Sequence, residues 1–171
     1  MAWELIYMNT NNILNQILDV SIKLSSEKNT KKLLENILLA AKSLADADGG
    51  TIYAVNDQNE LVFDTLLNDS LNLHTGGSSG KGQAFDPIPI YVDGKINKNA
   101  IVSHAAATGE TINIADIYHV DSYDLTRAKD MDVINQYRTQ SVLTVPMQNH
   151  EGELNGVLQL VNARKNGQIV T

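Results

Sequence analysis

The sequence predicts an α+β fold in which an antiparallel sheet is covered on both faces by helices. Three observations carry this. The stretch Ser141–Asn162 reads as two long strands around a tight turn, and both faces of its second strand are apolar. Residues 51–67 read as a further hairpin. Residues 3–24 and 30–44 place apolar side chains at three- and four-residue steps, the period of a helix with one buried stripe.

In chain order, the first stripe is Ile6, Ile13, Ile17, Val20 and Leu24, widened by Leu14 and Leu18. Asn9, Thr10, Asn11 and Asn12 form helix poorly, so the helix is expected to begin near Asn12. Thr30 is the expected N-cap of a second helix with the face Leu33, Leu34, Ile37, Leu38, Ala41 and Leu44, ending near residues 47–50. Strands over 51–55 and 61–67 flank the polar turn Asn56, Asp57, Gln58 and Asn59. Residues 68–98 are glycine-rich and irregular, with at most one short strand around 88–92. Asn99 is placed to cap a short helix through Ile101, Val102, Ala105 and Ala106, stopped by Gly109 and followed by a strand over 111–114. Residues 116–140 read as a charged helix and loop. In the final hairpin, Asn149 to Gly152 make the turn, and Pro146, lacking an N–H, marks a bulge or unpaired position.

Composition narrows the function. With 171 residues and 43% hydrophobic content, one domain with one core is expected. A net charge of -7 and an aromatic content of 5% argue against nucleic acid as a partner. No apolar run reaches membrane-span length, and the start MAWELIYMNTNN lacks a secretory signal, so a cytoplasmic protein is expected, with Asn68, Asp69 and Ser70 no working glycosylation site. Zero cysteines exclude disulfides, thiolate metal sites, a thiol nucleophile and a thioether-linked chromophore.

No catalytic or metal motif is found. GGSSG at 76–80 matches the serine-hydrolase elbow formally, but LNLHT before it and KGQAFDP after it do not supply the strand and helix an elbow needs. As a P-loop it fails on glycine spacing and on Gly82, which replaces the magnesium-binding hydroxyl. Asp116, Asp121, Asp124, Asp130 and Asp132 lack calcium-loop spacing and read as a solvated face. His74, His104, His119 and His150 are scattered, with no metal-binding pair, and His104 reads as a packed or exposed histidine.

The phrases YRTQSVLTVPM, GVLQLVN and ATGETINIADIY resemble those of GAF domains, the small sensory modules of signalling proteins, over nearly the whole chain from Leu14 onward. The wording DIY, YRT, SVLTVP and VLQLVNA is most similar to GAF domains placed ahead of HD-GYP phosphodiesterases or nucleotide cyclases. This resemblance implies a six-stranded antiparallel sheet between helices, an architecture related to PAS domains. Residues 1–29 would form an amphipathic helix for domain packing or a dimer interface, and residues 30–171 the domain, which stops at NGQIVT where the family continues. A ligand pocket is implied between one sheet face and residues 99–140. Tyr118, Tyr123, Asp124, Thr126 and Arg138 would there supply hydrogen bonds or charge to a purine, cyclic phosphate or small acid, with Thr144 and Gln159 reaching in from the strands.

The expected role is a non-catalytic sensor in a bacterial signal-transduction protein that binds an unidentified small molecule and controls a C-terminal output domain, as a homodimer through its terminal helices. A ligand-free dimerisation module and a cyclic-nucleotide-binding domain are the alternatives. Against the latter, cyclic-nucleotide-binding members carry an N-K-F-D-E signature. Asn162 matches its Asn, Ala163 stands where Lys belongs, and the remainder falls beyond Thr171. Enzymatic activity is expected of the parent protein, as a phosphodiesterase or cyclase, and not of this chain.

Overall fold

The computed structural model describes residues 17–79, 85–165 and 167–170. The predicted start of the first helix, with Ile6, Ile13 and Leu14, lies outside these residues, as do Lys81 and Gly82. Residues 17–26 are helical (α1), with Val20 and Leu24 half-buried and Ile17, Leu18 and Ile22 exposed.

Helix α2 is Thr30–Leu44. Its N-cap is Asn29 and not Thr30: Asn29 holds extended backbone and its Oδ1 accepts from Lys32 N at 3.1 Å, the geometry that a capping side chain needs one residue before the helix. Strand β1 then starts at Ala47, earlier than the sequence suggested, because Asp46 takes a left-handed φ of 45° and turns the chain straight out of the helix. Strands β1 (Ala47–Val55) and β2 (Glu60–Asn68) form the expected hairpin.

The irregular region contains more strand than predicted: β3 (Leu73–Gly76), β4 (Ile88–Pro89), β5 (Tyr91–Val92) and β6 (Lys95–Ile96). Strand β3 carries little apolar pattern and exists by pairing with residues 65–68 of β2. Helix α3 is Ile101–Thr108 and closes at Gly109, whose φ of 71° places it in the left-handed region that favours glycine. Ala100, not Asn99, occupies its N-cap without a side-chain bond; Asn99 N instead donates to Asn97 Oδ1 at 3.0 Å. Then follow β7 (Ile112–Ile114), a 3₁₀ turn at Ile117–His119, α4 (Thr126–Asn135), β8 (Val142–Gln148), β9 (Leu154–Lys165) and β10 (Gln168–Ile169).

The strand order β3-β2-β1-β9-β8-β7 makes six antiparallel strands, with β4 added beside β2 and β10 beside β9. The β8–β9 hairpin therefore lies inside the sheet, as its two apolar faces require. Pro146 is in register with Val157, and the irregularity falls one residue later, between Met147 and Gln148. One face packs Ile52, Leu67 and Leu160 against Leu38 of α2. The other packs Tyr53 and Val157 against Val102 of α3, and Val142 and Val161 against Ile101, Ile117, Leu125, Tyr118 and Tyr123. Helix α3, the 3₁₀ turn and residues 120–125 pack on this second face. Among the described residues no helix is long and apolar enough to cross a membrane.

Candidate functional site

The seven predicted ligand residues fall into four places, and only some converge. Tyr118 sits on the 3₁₀ turn, whose start is fixed by Asp116: its side chain accepts from Tyr118 N at 2.8 Å. Arg138 follows α4 and lays its guanidinium over the Tyr118 ring, 3.9 Å from the centroid, while Lys129 Nζ stands 5.2 Å from the same centroid. The Arg138 side chain remains 54% exposed and makes a loose ion pair with Asp116 at 3.6 Å. His119 Nδ1 donates to the same Asp116 carboxylate at 2.9 Å. The Tyr118 backbone N–H, then His119 and Arg138, hold the Asp116 carboxyl below its usual range.

Asp132 holds this cluster from beneath. Its Oδ2 accepts from Tyr118 Oη at 2.8 Å and Thr139 N at 2.7 Å, and its Oδ1 accepts from Thr139 Oγ1 at 2.7 Å. Burial and the Asp132 carboxylate together push the Tyr118 hydroxyl pKa up, so it remains a donor. The sequence placed Asp132 on a solvated face. It is buried instead, because three donors replace the water that a carboxylate would lose. Nothing in the periodicity of α4 signals this, since the same helix leaves Val133 and Ile134 exposed.

Tyr123 does not join Arg138; its Oη and His104 Nδ1 are hydrogen-bonded at 2.7 Å, giving His104 a partner that its sequence position did not announce. Burial raises the Tyr123 pKa. Asp124 and Thr126 are exposed and serve each other: Asp124 Oδ1 accepts from Thr126 N at 3.2 Å and Thr126 Oγ1 at 2.7 Å, a local turn ahead of α4.

Thr144 and Gln159 face each other across β8 and β9, on the sheet face under α3. Gln159 Nε2 donates to Thr144 Oγ1 at 3.1 Å, and Tyr53 Oη donates to Gln159 Oε1 at 3.5 Å. Thr144 is fully buried. This polar row separates the apolar cluster around Val157 from the one around Val142 and Val161.

The GGSSG loop is likewise explained by packing. The Glu35 carboxylate accepts from Ser78 N at 2.9 Å and pairs with His74 Nε2 at 2.9 Å, tying residues 74–78 to α2. Burial works to raise the Glu35 pKa, but the bonds from Ser78 and His74 outweigh it and leave it lowered. Among the described residues no group of three His, Cys, Asp or Glu side chains is placed to hold a metal. An open depression of about 50 Å3 lies where Ala45, Asn113, Leu143 and Leu160 meet. It touches none of the seven predicted residues and is far smaller than the roughly 300 Å3 of an ordinary ligand pocket.

A family model described as "GAF domain" matches residues 29–169. The chain belongs to the GAF domain family. A dual 3',5'-cyclic-AMP and -GMP phosphodiesterase 11A of Takifugu rubripes is 26% identical to this GAF domain over 168 residues, covering 96% of this chain and 17% of the relative. The chain thus spans about a sixth of that protein's length. Among solved structures, the GAF domain of a phosphoenolpyruvate-protein phosphotransferase from Coxiella burnetii aligns with TM-score 0.65 at 16% identity, over 95% of this chain and 83% of that one. The free methionine-R-sulfoxide reductase of Neisseria meningitidis, solved with its substrate, aligns with TM-score 0.54 at 16% identity, over 88% and 70%. At these identities the structural likeness concerns the fold, which regulatory and enzymatic proteins share.

Proposed function

We propose that this GAF domain is a regulatory sensor whose small, anionic ligand is met by Arg138 beside Tyr118, and that it controls an output domain in a longer cytoplasmic protein. The observation that carries this is the half-exposed Arg138 guanidinium, stacked on an aromatic ring, next to a second cation, and only loosely paired with Asp116. A guanidinium so placed offers forked donors to a phosphate or carboxylate at little cost in ordering. A 3',5'-cyclic nucleotide fits this chemistry, and the kinship with a cyclic-nucleotide phosphodiesterase favours it; Ala163, in place of the signature lysine, weighs against it. An attached phosphodiesterase, HD-GYP or cyclase domain is the output this reading expects. In this arrangement residues 30–171 form the sensing unit and residues 1–29 lead into it.

Thermal denaturation with cyclic AMP, cyclic GMP, purines and small dicarboxylic acids tests the reading. A ligand at about 100 times its dissociation constant stabilises by about 2.7 kcal/mol, a rise in Tm of roughly 5–10 °C for a domain of this size. Arg138→Ala is expected to weaken that ligand about tenfold or more, as loss of a charge-assisted bond does. A ligand response of undiminished size in Arg138→Ala would remove Arg138 from the site.

Exposed Ile17, Leu18 and Ile22 on α1 favour a second reading, in which the domain pairs with another copy through this helix. It is compatible with sensing and is tested separately below.

A further inference from the structure

Every residue of the segment 137–141, which carries Arg138, is tied to its surroundings. Tyr137 Oη donates to Asp48 Oδ2 at 2.7 Å. Arg138 O accepts from Asn162 Nδ2 at 2.7 Å, and Gln140 N donates to Asn162 Oδ1 at 2.7 Å. Thr139 is held by Asp132, Gln140 O accepts from Ile117 N at 2.9 Å, and Ser141 O accepts from Asn162 N at 2.8 Å. Asn162 therefore supplies three of these bonds alone.

Asn162 is fully buried, and its φ of 56° lies in the left-handed region although it sits inside β9. Asparagine tolerates that backbone better than most residues, and such strain persists where the surroundings over-determine it. Its amide has both an acceptor and a donor, so it satisfies one N–H and one C=O of the loop at once. An aliphatic side chain would leave Arg138 O and Gln140 N without these partners. On the far side, Arg164 is bound to the fully buried Asp48 and to Asp69, the second at 3.2 Å. The loop and the end of β9 are thus one bonded unit.

We infer that Asn162 is a positioning residue for the ligand site: its amide sets the backbone of residues 138–140, and hence the stacking of Arg138 on Tyr118. By the same bonds, movement of Arg138 toward a ligand is transmitted to the last long strand. The functional meaning rests on the sensor reading above, whereas the positioning itself does not.

The test uses the ligand-free chain, so that absence of any ligand response would overturn the sensor reading and leave this one intact. Asn162→Gly keeps the left-handed backbone at no steric cost and removes only the amide. Hydrogen exchange at the Gln140 amide is expected to become about fivefold to tenfold faster, as for one lost buried hydrogen bond, while the Ile52 and Leu66 amides in the sheet keep their rates. The stacking at 3.9 Å predicts an Arg138 Nε resonance displaced by the Tyr118 ring in the parent, and in the variant this resonance is expected to move toward its free value. Unchanged Gln140 exchange and an unchanged Arg138 resonance would overturn the inference. If the glycine variant fails to fold, Asn162→Asp decides in its place. It retains the acceptor for Gln140 N and loses the donor to Arg138 O, so the Arg138 resonance should move while Gln140 stays protected. A parent-like Arg138 resonance in that variant would overturn the inference.

Discussion

Asp48 shows how much of this domain depends on single buried polar residues. It has no exposed surface, and its carboxylate is bonded to Tyr137 Oη, Ser70 Oγ and the Arg164 guanidinium. Burial works to raise its pKa, but the bonds from Tyr137, Ser70 and Arg164 outweigh this and hold it below 3.8. A depressed carboxylate binds its proton more weakly in the folded chain than in the unfolded one. Its contribution to stability is therefore complete well above 3.8 and is lost as the pH falls through that value toward the lower folded pKa. Asp48→Asn is expected to cost about 2–3 kcal/mol at neutral pH, below the full loss for a broken buried pair because Arg164 loses its buried partner but keeps the exposed Asp69, and to flatten the loss of urea stability below about pH 4. A parent-like pH profile in Asp48→Asn would show that Asp48 is not the linked group. None of this was visible in the sequence: Tyr137 lies 89 positions from Asp48 and Arg164 lies 116. Asp132 reads as solvated in the sequence for the same reason, since a carboxylate's burial is decided by donors that arrive from elsewhere.

Among the elements, the β8–β9 hairpin is legible because short apolar runs on either side of a glycine turn are local properties. Its two glycines nevertheless differ in a way that only the packed sheet reveals. A Cβ on Gly156 would lie 2.2 Å from Tyr53 O of β1, so Gly156→Ala must push β1 and β9 apart. That change is expected to cost about 2–3 kcal/mol. Gly152 has a φ of 84° but open space around its Cβ, so Gly152→Ala carries only the backbone penalty of about 1 kcal/mol. Urea denaturation of the two variants compares them directly, and equal losses would contradict the close approach of β1 and β9. Strand β3 escaped notice because His74, Thr75 and Gly76 have no apolar alternation; pairing with β2 and the Glu35 contacts make it a strand. Helix α4 inverts the usual pattern by burying Asp132 and exposing Val133 and Ile134. Periodicity is a poor guide where a hydrogen-bonded carboxylate replaces an apolar anchor.

At the scale of the whole molecule, the exposed Ile17, Leu18 and Ile22 on α1 predict self-association in solution. Light scattering at tens of micromolar is expected to give twice the chain mass, and Ile22→Glu to return it to one; a monomeric parent at that concentration would exclude the dimer reading. The antiparallel sheet between helices and the central place of the β8–β9 hairpin followed from sequence patterns and the family resemblance, because hydrophobic periodicity reports which faces an element buries, whereas the strand order is decided by the tertiary pairing. The make-up of the candidate site did not follow. Of the seven predicted ligand residues, Tyr118 and Arg138 meet each other, Thr144 and Gln159 meet each other, Tyr123 turns to His104, and Asp124 and Thr126 bond locally. Asp132 and Asn162, which hold the Arg138 loop, stand on different elements and satisfy it through bonds of fixed direction. Apolar burial is non-directional and can be read from spacing alone, whereas a hydrogen bond exists only once both partners have been brought within about 3 Å.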